Sequence, residues 1–141
     1  MSEEVYTHLS EPALCEMAVT LSGRLHAGDI IYLVGELGAG KTTWVRALLR
    51  ALGYTGRVKS PTYTWVESYV LPSFTLHHFD WYRLGSPGDV VGLGLADYQT
   101  SDALWCVEWP EKAIGFLPKP TWTLTLTVDE SGERTLLQKE G

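Results

Sequence analysis

Residues 30–43 read IIYLVGELGAGKTT, an apolar run that gives way to G-x-x-x-x-G-K-T and then to a helical pattern. No other stretch restricts the fold so strongly. Four or five apolar residues suffice for a strand buried in a parallel sheet, and Gly35 is expected to end it with a residue free to take φ > 0. Gly38 and Gly40 carry no Cβ, so successive backbone N–H groups can converge on an anion. The following helix aims the positive end of its dipole at the same place. The amides of Leu37, Gly38, Ala39, Gly40, Lys41, Thr42 and Thr43 then form a nest for phosphate. Lys41 would reach the β- and γ-phosphates as a point charge, and the Thr42 hydroxyl would hold Mg²⁺. A strand before and a helix after supply the context this motif needs. Nucleotide binding is the premise; the use of the nucleotide is the open question.

At 141 residues with ordinary apolar content the expectation is a single domain, residues 1–141, with a real core. A formal charge of -6 argues against a broad nucleic-acid footprint, which relies on clustered Lys and Arg, so any RNA connection is expected to be indirect. Cys15 and Cys106 have no metal-ligand spacing and read as reduced, buried thiols. The start, Met1-Ser2-Glu3-Glu4, lacks the basic residues and apolar core of a signal peptide, and no run approaches membrane-spanning length. A cytoplasmic protein without a membrane partner is the expectation.

Ser10-Glu11-Pro12 opens a helix that the spacing of Leu14, Met17 or Ala18, Leu21 and Leu25 carries to about His26. A second helix follows Thr43 with the stripe Trp44, Val45, Leu48, Leu49, Leu52, and Gly53 ends it in an αL cap. Residues 59–70 read as a loop feeding a strand, and 74–80 as its antiparallel hairpin partner. If that strand persists, His78, Asp80 and Tyr82 share a face. Ser86 and Pro87 are expected to start a short helix running to about Leu95. Ala103-Leu104-Trp105-Cys106-Val107-Glu108 has the shape of a Walker B strand, which delivers an acid beside the phosphate loop. The alternating run 121–128 and the returning run 134–138 read as scaffold strands at a sheet edge. The fold expected is α/β: a P-loop NTPase domain with a mixed sheet, an antiparallel hairpin insertion and flanking helices.

Four segments in this order, GELGAGKTT at 35–43, SPTYT at 60–64, HFDWYR at 78–83 and VEWP at 107–110, resemble the TsaE family of bacterial tRNA threonylcarbamoyladenosine biosynthesis. The resemblance spans nearly the whole chain and is far more specific than the phosphate loop alone. It implies an ATPase acting with the proteins TsaB and TsaD, which place threonylcarbamoyl on adenosine 37 of tRNA. In that family the ATPase neither makes the activated donor nor performs the transfer, and is thought to reset the partner complex between cycles.

Carried over to this chain, the resemblance implies Lys41, Asp80 and Glu108 as catalytic residues, with ATP and Mg²⁺ as cofactors. Thr42, Asp80 and Glu108 would be direct or water-mediated metal ligands. Glu108 could instead orient the attacking water, and sequence does not divide those roles. Thr62 and Thr64 lie where a switch-like loop could sense the γ-phosphate, or are ordinary strand-favouring threonines. Trp109 could contact the nucleotide or fill the core. Tyr82 and Arg83 could order the site or face solvent. Reading His78 and Asp80 as a transition-metal pair finds no further ligand at usable spacing.

Rival functions fit less well. Asp89-Val90-Val91-Gly92 matches the D-x-x-G of GTPases but follows a Gly/Pro turn, and the chain has no Asn for a guanine-reading motif. A P-loop small-molecule kinase would usually carry a basic lid, and no Arg-rich segment is present. A nucleotide-gated binding module, acting by affinity rather than turnover, stays open.

Overall fold

The computed structural model describes residues 2–141. Glu3–Leu9 forms a strand, β1, through an antiparallel ladder with residues 134–139, which the N-terminal composition did not suggest. The Ser10 side chain then accepts a hydrogen bond from Ala13 N at 3.2 Å and caps α1, Glu11–Ser22. This helix stops four residues short of His26 because Gly23, a poor helix former, follows Ser22. The strand β2, Ile30–Val34, leads through the phosphate loop into α2, Lys41–Ala51. Gly53 at φ 100 closes α2, with Tyr54 N donating to Leu49 O, as the αL cap requires.

The hairpin forms as expected from β3, Val66–Val70, and β4, Thr75–Asp80. Tyr82 does not share the face of His78 and Asp80: the strand ends at Asp80, Trp81 turns into the core and Tyr82 is exposed. The helix expected from Ser86 also contracts. Both the N–H and the hydroxyl of Ser86 donate to the Asp89 carboxylate at 3.0 Å, closing a turn, and α3 covers only Asp89–Gly92. Gly94 at φ 77 breaks it, and Leu95–Tyr98 is a 3₁₀ turn. The remaining strands are β5, Ala103–Glu108, β6, Trp122–Val128, and β7, Arg134–Glu140.

All seven strands join one sheet in the order β1-β7-β6-β2-β5-β4-β3. Strands β6, β2, β5 and β4 run parallel, while β3, β7 and β1 pair antiparallel at the flanks. β6 and β7 are therefore not an edge; β1 covers them, and β3 forms the opposite edge. This is a mixed α/β sheet of the P-loop NTPase type. Parallel strands need both faces covered. On one face, α1 and α2 lay Leu14, Leu21, Trp44, Leu48 and Leu49 over Ile31, Leu33, Leu76, Leu104 and Leu124. On the other, Phe79, Trp81, Leu84, Val90, Trp105 and Val107 form a smaller aromatic core. Both cysteines are free; Cys106 is buried, but Cys15 is only half-buried. No helix among the described residues is long and apolar enough to cross a membrane.

Gly35 is required for a reason other than its φ. A Cβ there would stand 2.6 Å from the Leu126 carbonyl oxygen, a backbone atom of β6 that cannot give way without moving the strand. Gly35→Ala is expected to destabilise the fold by about 1–3 kcal/mol, the usual range for overpacking, read as a lowered denaturation midpoint.

Candidate active site

The register of the parallel strands brings the chemistry to one level. Glu108 pairs with Leu33 on β2 and with Asp80 on β4, so the two carboxylates emerge side by side at the C-terminal end of the sheet, next to the phosphate loop. Open α/β sheets bind ligands at that end. The loop takes its bends at Gly38, φ 80, and Gly40, φ 107. A Cβ on Gly40 would lie 2.9 Å from a Leu14 methyl and 3.1 Å from Arg134 Nε, so this position is closed to side chains twice over. Behind it, α2 begins at Lys41 and points its free N–H groups at the cleft.

A cleft of about 210 Å³ is lined by Leu37, Gly38, Gly40, Lys41, Thr42, Thr43, Thr62, Asp80, Glu108, Trp109 and Arg134. Of the loop residues read as nucleotide-binding, only Ala39 is absent from this lining; its side chain is buried, and its carbonyl accepts from Arg134 Nε at 3.2 Å. Lys41 is 4 % exposed, donates to the Gly35 carbonyl and sits 3.9 Å from the centre of the Trp109 ring. Burial lowers its pKa, while the nearby charges of Glu108 and Asp80 work in the opposite direction. Trp109 holds this position with φ 59, a left-handed conformation uncommon for a residue with a Cβ, and packs 4.9 Å from Tyr82. Of the two alternatives left open for Trp109, the structure shows it lining the cleft.

Glu108 is 3 % exposed. Burial alone would raise its pKa, but hydrogen bonds from His78 and Thr42 and the charge of Lys41 outweigh that and hold it below the ordinary carboxylate range. Thr42 Oγ1 donates to Glu108 Oε2 at 3.0 Å. Asp80 accepts from Tyr82 N at 3.0 Å and from the Thr62 hydroxyl at 3.1 Å, which ties the 60–65 loop to the cleft. Thr64 does not join them: its hydroxyl donates to Glu67 at 3.1 Å on the exposed side of the hairpin. Arg83 stacks its guanidinium 4.5 Å from the ring centre of Tyr63, at the exposed end of the same loop.

Two residues near the cleft escaped the sequence reading in this role. Arg134 reads as scaffold in the sequence, and nothing local to residues 134–138 points to a loop almost a hundred positions earlier. As sequence, His78 reads only as a metal ligand beside Asp80, whereas its Nε2 is engaged with Glu108. The alternation of His78 and Asp80 on β4 was the available signal. The side chains lining the cleft that could hold a metal, threonine hydroxyls and two carboxylates, are hard oxygen ligands and fit Mg²⁺ rather than a nitrogen- or sulfur-seeking metal.

Comparison with known proteins places these features in a family. Residues 9–136 match the family model described as "Threonylcarbamoyl adenosine biosynthesis protein TsaE". A "tRNA threonylcarbamoyladenosine biosynthesis protein TsaE" from Haemophilus influenzae is 47% identical over 90 residues, 64% of this chain and 57% of that protein's length. The protein of the same name from Treponema pallidum is 36% identical over 118 residues, 83% of this chain and 87% of its own. The crystal structure of Bacillus subtilis YdiB superposes with a TM-score of 0.82 at 25% identity, covering 99% of this chain and 87% of that one. With a family model spanning nearly the whole described fold, this chain belongs to the TsaE family.

Proposed function

We propose that this protein is the Mg²⁺-dependent ATPase of tRNA N6-threonylcarbamoyladenosine biosynthesis, acting in the cytoplasm with TsaB and TsaD and meeting tRNA only through them. The observation that carries the reading is the convergence of the Thr42 hydroxyl and the Asp80 and Glu108 carboxylates beside Lys41, at the mouth of a glycine-rich loop that opens a helix. The names of the relatives supply the pathway.

In this reading the amides of Leu37 to Thr43 and the Lys41 ammonium bind and orient the triphosphate, the positioning on which phosphoryl transfer mainly depends. Thr42, Asp80 and Glu108 would hold Mg²⁺, directly or through its waters. An ion held there would supply neutralisation of the triphosphate's charge. Glu108 is ionised and faces the cleft, so it can orient the attacking water and accept its proton. Thr62, held by Asp80, stands where it can sense the γ-phosphate. Tyr63, next in the chain to Thr62, and Tyr82, packed on Trp109, are exposed beside residues that line the cleft, which suits slow turnover alone and completion of the site by a partner.

The test is hydrolysis of ATP against GTP by the purified protein with Mg²⁺, alone and with TsaB and TsaD. Low ATPase activity that rises with the partners is expected. Binding without turnover in every condition would favour the nucleotide-gated module instead.

A further inference from the structure

One polar side chain at the cleft is buried deeper than its neighbours. His78 is 0 % exposed, and its Nε2 lies 2.5 Å from Glu108 Oε2, the same oxygen that accepts from Thr42. His78 pairs with Cys106 across β4 and β5, one step below the Asp80 and Glu108 pair, so the ring reaches diagonally upward to the carboxylate. Nδ1 is buried and has no partner among the described residues. An ionised carboxylate only accepts, so the ring donates from Nε2 and leaves Nδ1 as a bare lone pair. The other tautomer would bury an N–H without an acceptor, the costlier orphan. Glu108 Oε1 takes no hydrogen bond from the described residues, and Glu108 lines the cleft.

We propose that His78 is a positioning residue that pins Glu108 through Oε2 and leaves Oε1 as the working oxygen of the site. This rests on the reading of Glu108 as the acid of an ATP-hydrolysing centre. A glutamate side chain loses considerable rotamer freedom when fixed. Two donors on one oxygen, from β4 and from α2, fix its plane as well as its position. The Thr42 hydroxyl can give its proton to Oε2 while its lone pairs face the cleft. His78 itself contacts neither substrate nor metal in this scheme. Groups that hydrogen-bond a metal-ligating side chain from behind are typically worth about 10–100-fold in affinity or activity.

Two measurements decide it. Long-range ¹H–¹⁵N spectra of the histidine side chains, with His78 assigned from His78→Gln, should show the Nε2–H tautomer with a strongly deshielded proton that moves upfield in Glu108→Ala. An Nδ1–H tautomer, or a signal indifferent to Glu108, overturns the proposal without reference to activity. In ATP hydrolysis, with partners where the wild type needs them, His78→Leu should lose about 10–100-fold in kcat while ATP affinity stays within about twofold. His78→Gln, whose amide nitrogen reaches the place of Nε2, should recover most of the rate, and the shorter His78→Asn should not. Equal losses in the Leu and Gln variants, both folded by thermal melt, or a loss confined to KM, would overturn it. A wild type that never hydrolyses ATP would sink the proposed function, while the spectra still judge the His78 contact.

Discussion

Lys41→Ala is expected to remove nucleotide hydrolysis almost completely, by about 10³-fold or more, and to weaken ATP binding by about 10²-fold. The second figure is the value of one charge-assisted contact, about 2–3 kcal/mol. The first adds what is lost when a preorganised charge no longer meets charge developing in the transition state. The structure sharpens the expectation because Lys41 is not a mobile surface cation. Its ammonium is held between the Gly35 carbonyl and the Trp109 ring, within the field of Glu108 and Asp80, whereas the other cation lining the cleft, Arg134, is engaged with the Ala39 carbonyl. Isothermal titration with ATP and a coupled phosphate-release assay would read the two effects separately. Retention of more than about a tenth of the wild-type rate would contradict the assignment of Lys41 to the phosphates.

Glu108→Gln should behave differently. The amide keeps the shape and can still accept from Thr42, so ATP binding is expected to survive, while turnover falls by about 10²–10⁴-fold because a neutral amide cannot take a proton from water. Normal hydrolysis in this variant would remove Glu108 from the chemistry. The same substitution carries a second signature. The Glu108 pKa is depressed from the ordinary 4.5 by its hydrogen bonds and by Lys41, despite the opposing effect of burial. A depressed carboxylate contributes stability that is present above its unfolded value and lost as pH falls through its native one. The difference in Tm between wild type and Glu108→Gln should therefore narrow on acidification below about 4.5 and be widest near neutral pH.

Much of the site was legible because its parts are local. A strand, a glycine loop and a helix follow one another within 30–51, and the Walker B strand announces itself by an apolar run ending in an acid. Asp80 owes its assignment to the family resemblance carried by HFDWYR at 78–83, and the period of two along β4 puts it on the face of His78. What escaped depends on pairings that no local pattern encodes. β1 is an edge strand whose Glu3 and Glu4 look like a solvated terminus, and only its ladder with β7 makes it a strand. That ladder displaced β6 and β7 from the edge and left Arg134 beside Ala39. Gly35 was correctly placed as a glycine with the wrong reason attached, since a close approach by β6 is invisible until the sheet is assembled. Tyr82 and the Ser86 helix failed for a shared cause. Past Asp80 the chain serves the aromatic core through Trp81, Leu84 and Val90, and that packing overrides both the period of two and the capping pattern.

The pairing of Asp80 with Glu108 across two parallel strands makes this site a matter of odd and even. Side chains on a strand alternate faces, so sliding β4 by one residue would send His78 and Asp80 into the aromatic layer and bring Phe79 and Trp81 up beside the glycine-rich loop. No intermediate setting exists between the working alignment and one that ruins core and cleft together. Changes of activity in a chain built this way have to enter through the segments that leave the sheet, around Thr62, Tyr82 and Trp109, where the backbone can shift by fractions of a residue.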